Sequence, residues 1–373
     1  MISLRRFFAF LIAIWLFPSA AFAFPGMIRH GYVHCISCHV SPTGGGVLTP
    51  YGRELSQEVL SMRSRDGEGQ WAYGAFKDQI PELLSLGGDV RLIQTRKENS
   101  VYRENRFFLM QADFELAATF GDWVVAGTVG VYDQQALSLR HYLLYRRTDQ
   151  NLFRLGRFMP AYGINTSEHT LTTRRDLGWD ESRETYNFEA SWLEDRWSAF
   201  VTLLLGRPES VSYEDGLSFG LTGYSEQGVA LKGSRFFGEK YEIGLSYLWG
   251  STSQADRQLA GPYWILGFAP HFYFQGELAF QSRTPVGRSN ATGVFDSLRL
   301  DWEAMQGLHF YLLQELARPN FRDQFADTER YGAGLGLFPR PHWELDLRWY
   351  RQRTSLDGNG FGDLAWAMLH FYP

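Results

Sequence analysis

The sequence predicts an all-β fold: a transmembrane antiparallel β-barrel of about 16 strands, headed by a short helical and loop segment. Three observations carry that expectation. Aromatic residues make up 16% of the 373-residue chain and glycines number 38, yet no run of 18 apolar residues follows the N-terminus. Helical spans are therefore excluded, whereas alternating strands keep the average polar while one face stays apolar. Apolar and polar residues do alternate with period two in segment after segment. The connections between these segments alternate short and long, as in a barrel with tight turns at one rim and loops at the other.

The N-terminus comes first. Arg5 and Arg6 precede the apolar run Phe7 to Phe17, and Ala21-Phe22-Ala23 is a small-x-small cleavage signal. The run is too short to span a bilayer. Residues 1–23 thus read as a secretory signal peptide, with Phe24 as the mature start and no cysteine there to take lipid. Removing Arg5 and Arg6 moves the formal charge from −5 to −7. A mildly acidic chain without a basic block argues against a nucleic-acid partner.

Residues 24–83 are too few to build a large core of their own. They hold the chain's two cysteines, in Cys35-Ile36-Ser37-Cys38-His39. The C-x-x-C-H spacing suits thioether bonds to the two vinyl groups of a haem, with the next residue placing an imidazole under the iron. A thioredoxin-type pair would need a βαβ context, and a four-ligand zinc site a second Cys or His pair at short spacing; neither is found. Cys35 and Cys38 are the expected anchors of one covalent haem c, and His39 the expected proximal iron ligand. Met62 and His30 are candidates for the distal position, beside an open position or a partner's side chain. Gly44-Gly45-Gly46 would let backbone approach a flat macrocycle, or is a flexible loop. Thr49 reads as a helix N-cap with Pro50 at the first helical position. Leu55, Val59 and Met62 then share a helical face, to cover the haem edge or to plug against the barrel wall.

Residues 84–373 are the expected barrel. Strands are placed near 84–97, 105–119, 122–133, 139–148, 151–158, 185–194, 197–206, 226–236, 240–250, 259–268, 271–283, 295–304, 307–317, 328–338, 342–354 and 362–372. In one, Trp343, Leu345, Leu347 and Trp349 oppose Glu344, Asp346, Arg348 and Tyr350. In others, Leu298, Leu300 and Trp302 oppose Arg299, Asp301 and Glu303, and Trp123, Val125, Val129 and Val131 share a face. So many charges on the second face suit a wet lumen better than the core of a soluble sandwich. Aromatics at strand ends fit interfacial girdles. An even strand count puts both barrel ends, and the haem segment, at the short-turn, periplasmic rim. The last strand alternates Ala365, Ala367, Leu369 and Phe371 like a terminal assembly signal, although Pro373 ends the chain. The connection 159–184 follows Gly156 to Phe158 and carries His169, Arg174, Arg175, Asp176, Asp180, Glu181 and Arg183. It is expected either to fold into the lumen and set a field there or to lie solvated outside.

The stretch C-I-S-C-H-V-S-P-T-G-G-G-V-L-T-P-Y-G-R, from Cys35 to Arg53, resembles the N-terminus of a group of bacterial outer-membrane barrels that carry a single c-type haem segment; R-F-M-P-A-Y-G-I resembles their barrel part. These barrels are in turn similar to porin–cytochrome electron conduits. The resemblance implies the outer membrane of a Gram-negative bacterium, outer-membrane lipid around the barrel, and electron transfer with a multihaem cytochrome or periplasmic electron carrier. This chain departs from the conduits in having one haem motif, and one haem cannot by itself carry electrons across ~30 Å of hydrocarbon. Cys35, Cys38 and His39 are the residues that carry over. The alternative is a porin or solute channel in which the haem is structural or regulatory. A haem enzyme or small-ligand sensor would need five-coordinate iron, and no other catalytic constellation is present.

Overall fold

Alternation along the chain builds sixteen strands in the computed structural model: β1 (Leu84–Glu98), β2 (Arg103–Phe120), β3 (Trp123–Tyr132), β4 (Gln135–Arg146), β5 (Asn151–Phe158), β6 (Thr185–Glu194), β7 (Trp197–Gly206), β8 (Gln227–Phe237), β9 (Tyr241–Ser251), β10 (Ala255–Ala269), β11 (Phe272–Pro285), β12 (Ala291–Met305), β13 (Leu308–Arg318), β14 (Thr328–Leu337), β15 (Trp343–Arg353) and β16 (Gly362–Phe371). Each pairs antiparallel with its sequence neighbours, and β1 closes on β16 with Val90 opposite Phe371 and Glu98 opposite Asp363. Closure satisfies every ladder group internally and leaves no edge, which is what hydrocarbon demands of a sheet. The structure describes residues 25–76, 78–132, 135–165, 171–179, 184–206, 226–238, 240–323, 327–354 and 360–373. The signal-peptide reading, and His169, Asp180, Glu181 and Arg183, lie outside them.

The outer face is apolar. Leu245, Leu312 and Trp349 are exposed, while their strand neighbours Ser246, Tyr311 and Tyr350 are buried. Aromatic rings collect at the rim with the tight turns. Trp123 meets Tyr145 at 4.6 Å, Phe272 stacks on Trp302 at 6.0 Å, and Trp343 meets Phe371 at 4.6 Å between centroids. Rings with one greasy and one wet side belong at such a boundary. Turns at this rim are short throughout. The opposite rim is mixed, because β1–β2 and β9–β10 are also joined tightly there, through 99–102 and 252–254.

The expected wet lumen is where the structure differs most. Inward-facing charges are buried and paired inside the barrel: Arg348 with Asp346 at 2.8 Å, Arg299 with Asp301 at 2.7 Å, and Arg257 with Glu226 at 2.6 Å. Two inserted pieces cover them. The first is the segment before β1. It contains 3-10 turns at Pro25–His30, Cys35–Ser37 and Trp71–Gly74, and a helix α1 (Pro50–Leu55) that loosens into a π turn over Ser56–Leu60. It is pinned to the tight-turn rim. Gln306 donates to the carbonyls of Glu58 and Ser61 at 2.9 and 2.8 Å, Met62 N–H donates to the Phe338 carbonyl at 2.8 Å, and the His342 ring lies between the Glu68 and Tyr372 carbonyls at 2.7 and 3.0 Å. The helical face expected to run to Met62 therefore stops short, since Met62 lies past the π turn and on the rim.

The second piece is the described part of the connection after β5, residues 159–165 and 171–179, which folds inward. Tyr162, Leu177 and Trp179 pack on Leu204, Ala230, Leu248, Leu259, Ala279, Phe295 and Ala317 of the inner wall. Gly163 N–H donates to Ser246, Ile164 N–H to Glu277 at 2.9 Å, and Thr172 N–H to Glu315 at 3.0 Å. Of the two expectations for this connection, folding into the lumen is the one realised.

A charge on the outer face tests the lipid assignment. Leu245→Arg should lower folding stability in lipid vesicles by roughly 2–4 kcal/mol, read from urea titration, because Leu245 lies midway along β9. Leu245→Phe, which keeps that face apolar, should cost far less than that in the same assay.

Candidate functional site

The C-x-x-C-H motif is built by a short loop that folds back on itself. Val40 N–H bonds to the Val47 carbonyl at 3.0 Å, Thr49 N–H bonds to the Cys38 carbonyl at 2.9 Å, and His39 bridges Leu48. The Thr49 hydroxyl then caps α1, accepting from Gly52 N–H at 3.0 Å and donating to the Ser37 carbonyl at 3.2 Å. One side chain so links the motif to the helix that follows it. Gly52 is required there, because a Cβ would overlap the Cys38 carbonyl. Between the arms, Gly44, Gly45 and Gly46 have φ of +81°, +72° and +67°. Three successive left-handed residues are readily available to glycine alone, and they turn the chain tightly beneath Cys35. A Cβ on Gly44 would lie 3.4 Å from the Cys35 sulfur.

This loop is held inside the barrel, not below it. Val40 and Val47 pack on an apolar patch of the inner wall formed by Val124, Ala126, Leu144, Leu152, Leu193 and Phe200. Arg154 reaches from β5 to Ser41 and Thr43 at 2.9 and 3.2 Å, pairs with Glu189 at 2.7 Å, and lies 3.7 Å over the Phe158 ring. Asn165 of the inserted connection donates to the Thr43 carbonyl at 3.2 Å. The haem segment was expected at the periplasmic rim. Only its flanks are there; the motif is drawn into the lumen because apolar wall residues need a cover.

A cavity of about 330 Å³ opens beside the motif, lined by Cys35, Cys38, His39 and Gly44–Gly46 on one side and by Arg140, Tyr142, Arg154, Met159, Lys232 and Tyr263 among the wall and loop residues. That is within the range of small-molecule pockets. Cys35 is exposed and faces the cavity, so its thiol is accessible. The cysteines are not bonded to each other. Burial raises the Cys35 thiol above its ordinary range, and burial with Cys35 beside it pushes Cys38 up to about 11. A disulfide-exchange pair needs the opposite, a lowered thiol. Burial also pushes His39 down to about 4, against the Gly45 and Gly46 carbonyls. The imidazole is thus neutral near pH 7, the form that ligates metal. Accessible thiols, a neutral imidazole, a glycine bend and lining cations together fit an attached haem with its two carboxylates.

The structure places the two distal candidates off the cavity. Met62 sits on the rim turns, where a Cβ on Gly307 would approach its Cγ at 2.9 Å, and it does not line the cavity. His30 belongs to the turn that packs on β10 and does not line it either; Met27 and Ile28 of that turn do. The thioethers at the cavity are those of Met27 and Met159. The sequence offered Met62 and His30 as equal candidates and gave no sign of Met159, which follows the end of β5. A usable signal was present, in strands apolar on both faces. Trp123-Val124-Val125-Ala126 and Leu203-Leu204-Leu205 mark wall that must be covered from inside as well as outside.

No protein-family model matches the chain, and no curated protein matches it. Solved structures do. OmpT of Vibrio cholerae is similar over 79% of this chain and 99% of its own at 9% identity, with a TM-score of 0.58. An anion-selective porin from Comamonas acidovorans is similar over 78% and 99% at 11% identity, with a TM-score of 0.59. OmpF of Salmonella typhi, in complex with daunomycin, is similar over 78% and 97% at 11% identity, with a TM-score of 0.54. At these identities the likeness is one of fold: the chain has the barrel of outer-membrane porins.

Arg154 should be the residue whose loss frees the motif. Arg154→Ala leaves Glu189 buried without its cation, a loss of roughly 3–5 kcal/mol by the behaviour of broken buried pairs. Limited proteolysis should then cut within residues 25–47 of the variant much faster than in the unaltered barrel.

Proposed function

We propose that the chain is an outer-membrane barrel of Gram-negative bacteria that carries one haem c within its own lumen and takes part in electron transfer at that membrane. The observation that supports it is the meeting of Cys35, Cys38 and His39 at one cavity inside the barrel. Cys35 and Cys38 would hold the porphyrin through thioethers, and His39 would ligate its iron. The bound haem would supply a one-electron couple. The chain's own part is to hold and enclose it. Val40 and Val47 fix the motif to the wall, the glycine bend gives room beside Cys35, and the inserted connection screens the site from the loop rim. With the lumen so filled, a multihaem cytochrome or periplasmic carrier would dock at the tight-turn mouth and not inside.

A second reading keeps the porin role and makes the haem structural or regulatory. The fold likeness to porins favours it. The segment before β1 would then be a stopper whose release opens the pore.

Two measurements on the membrane-extracted protein separate these. Peroxidase staining of a denaturing gel should show covalent haem in the unaltered chain and none after Cys35→Ala with Cys38→Ala; an unstained chain sinks the haem reading. In planar bilayers, a barrel that stays closed whether the haem is oxidised or reduced favours electron transfer. Conductance that switches on reduction favours the gated porin, and steady conductance unaffected by it favours a porin with a structural haem.

A further inference from the structure

Lys232 stands out among the cations of the cavity. It lies on β8, opposite Phe200 of β7 and Ser246 of β9 in register. Its ammonium is 4.7 Å from the Tyr263 ring centre and 5.8 Å from that of Phe200. The other lining cations have carboxylates: Arg154 has Glu189, Arg174 has Glu277 and Arg140 has Glu115. No carboxylate among the described residues comes within 4.0 Å of Lys232. Two acids face the same region, one held by an arginine and the other by a tyrosine hydroxyl. Glu277 is held by Arg174 and by the Ile164 N–H, each at 2.9 Å, and Glu242 accepts from the Tyr263 hydroxyl at 3.1 Å.

A half-buried ammonium set against two rings still needs an anion or water on its open side, since ring faces offset only part of the cost of covering it. That open side faces the cavity, so the cavity's occupant can supply the anion. We propose that Lys232 pairs with a carboxylate of the cavity's occupant, a propionate of the haem carried on Cys35 and Cys38; this rests on the haem reading above. A lysine suits the task, since its compact charge on a flexible stem can follow a propionate that has its own freedom.

The test is a spectroelectrochemical titration of the purified, haem-bearing full chain beside Lys232→Gln and Lys232→Arg. A cation near the macrocycle favours the reduced iron, which carries one positive charge fewer. Lys232→Gln should therefore shift the midpoint potential downward, Lys232→Arg should keep it close to that of the unaltered protein, and the ferric spectrum should be the same in all three. Equal potentials in the unaltered protein and Lys232→Gln overturn the pairing. So does a changed ferric spin state in both variants, which makes the amine an iron ligand. So does a potential that moves with added acetate in the unaltered protein and not in Lys232→Gln, which makes the anion a free solute. A colourless protein removes the haem reading itself, and the pairing with it; a coloured protein with equal potentials removes the pairing alone.

Discussion

Arg154 is the contact on which the interior depends. Its guanidinium touches two wall elements and the C-x-x-C-H loop at once: Glu189 on β6, the Phe158 ring at the end of β5, and the hydroxyls of Ser41 and Thr43. A planar guanidinium, with five donors in a fixed fork and faces that lie on rings, suits such a junction better than the compact three-donor ammonium of lysine. The Thr202 hydroxyl completes the carboxylate, donating to Glu189 at 2.8 Å. The pair is thereby hydrogen-bonded on both sides, the condition under which a buried charge pair can be held without large net cost.

A porin wall and a filled lumen place different demands on one sheet. Toward lipid the strands need an unbroken apolar face. Toward a water channel they would need polar residues that stay hydrated. Here the inner face is divided. Val124, Leu144, Leu152 and Phe200 form an apolar patch under the motif, and Leu204, Leu248, Leu259 and Phe295 a second one under the inserted connection. Each buried side chain of this size contributes on the order of 1.5–3 kcal/mol on leaving water. Among the other inward charges, Arg348 with Asp346 and Arg257 with Glu226 form arginine–carboxylate pairs that close the space between. The wall is thus shaped for an occupant, and two parts of the same chain supply it.

The strands were legible because lipid enforces period-two alternation, and register follows once one face must be apolar. Pairs such as Asp301 against Trp302 and Asp346 against Leu347 sort to inner and outer faces as the alternation implies. The motif was legible because Cys35, Cys38 and His39 are adjacent in sequence. What could not be read was which wall the motif would meet, since that depends on contacts between residues more than a hundred positions apart. Met62 shows the limit. A regular helix from Pro50 would have aimed it with Leu55 and Val59, but the backbone widens to a π turn after Leu55 and Ser61 turns back to the Ser56 carbonyl at 2.9 Å. That local change, invisible in residue spacing, sends Met62 to the rim. Met159 entered the cavity by the opposite route, from a strand end whose turn folds inward.

The two insertions are also not independent of each other. Ile28 of the first and Ile164 of the second share one buried cluster with Phe236, Tyr263 and Ile265 of the wall, and Asn165 donates to the Thr43 carbonyl one residue before the glycine bend. A close-packed cluster resists partial displacement, because moving one member opens a void beside the others. Withdrawing the segment before β1 would strip one side of the inserted connection, and moving that connection would uncover the cavity. Any opening of this barrel therefore has to displace both pieces or break the cluster between them. The same coupling holds the loop of Cys35, Cys38 and His39 at a fixed position relative to both rims, as a freely swinging stopper would not be held.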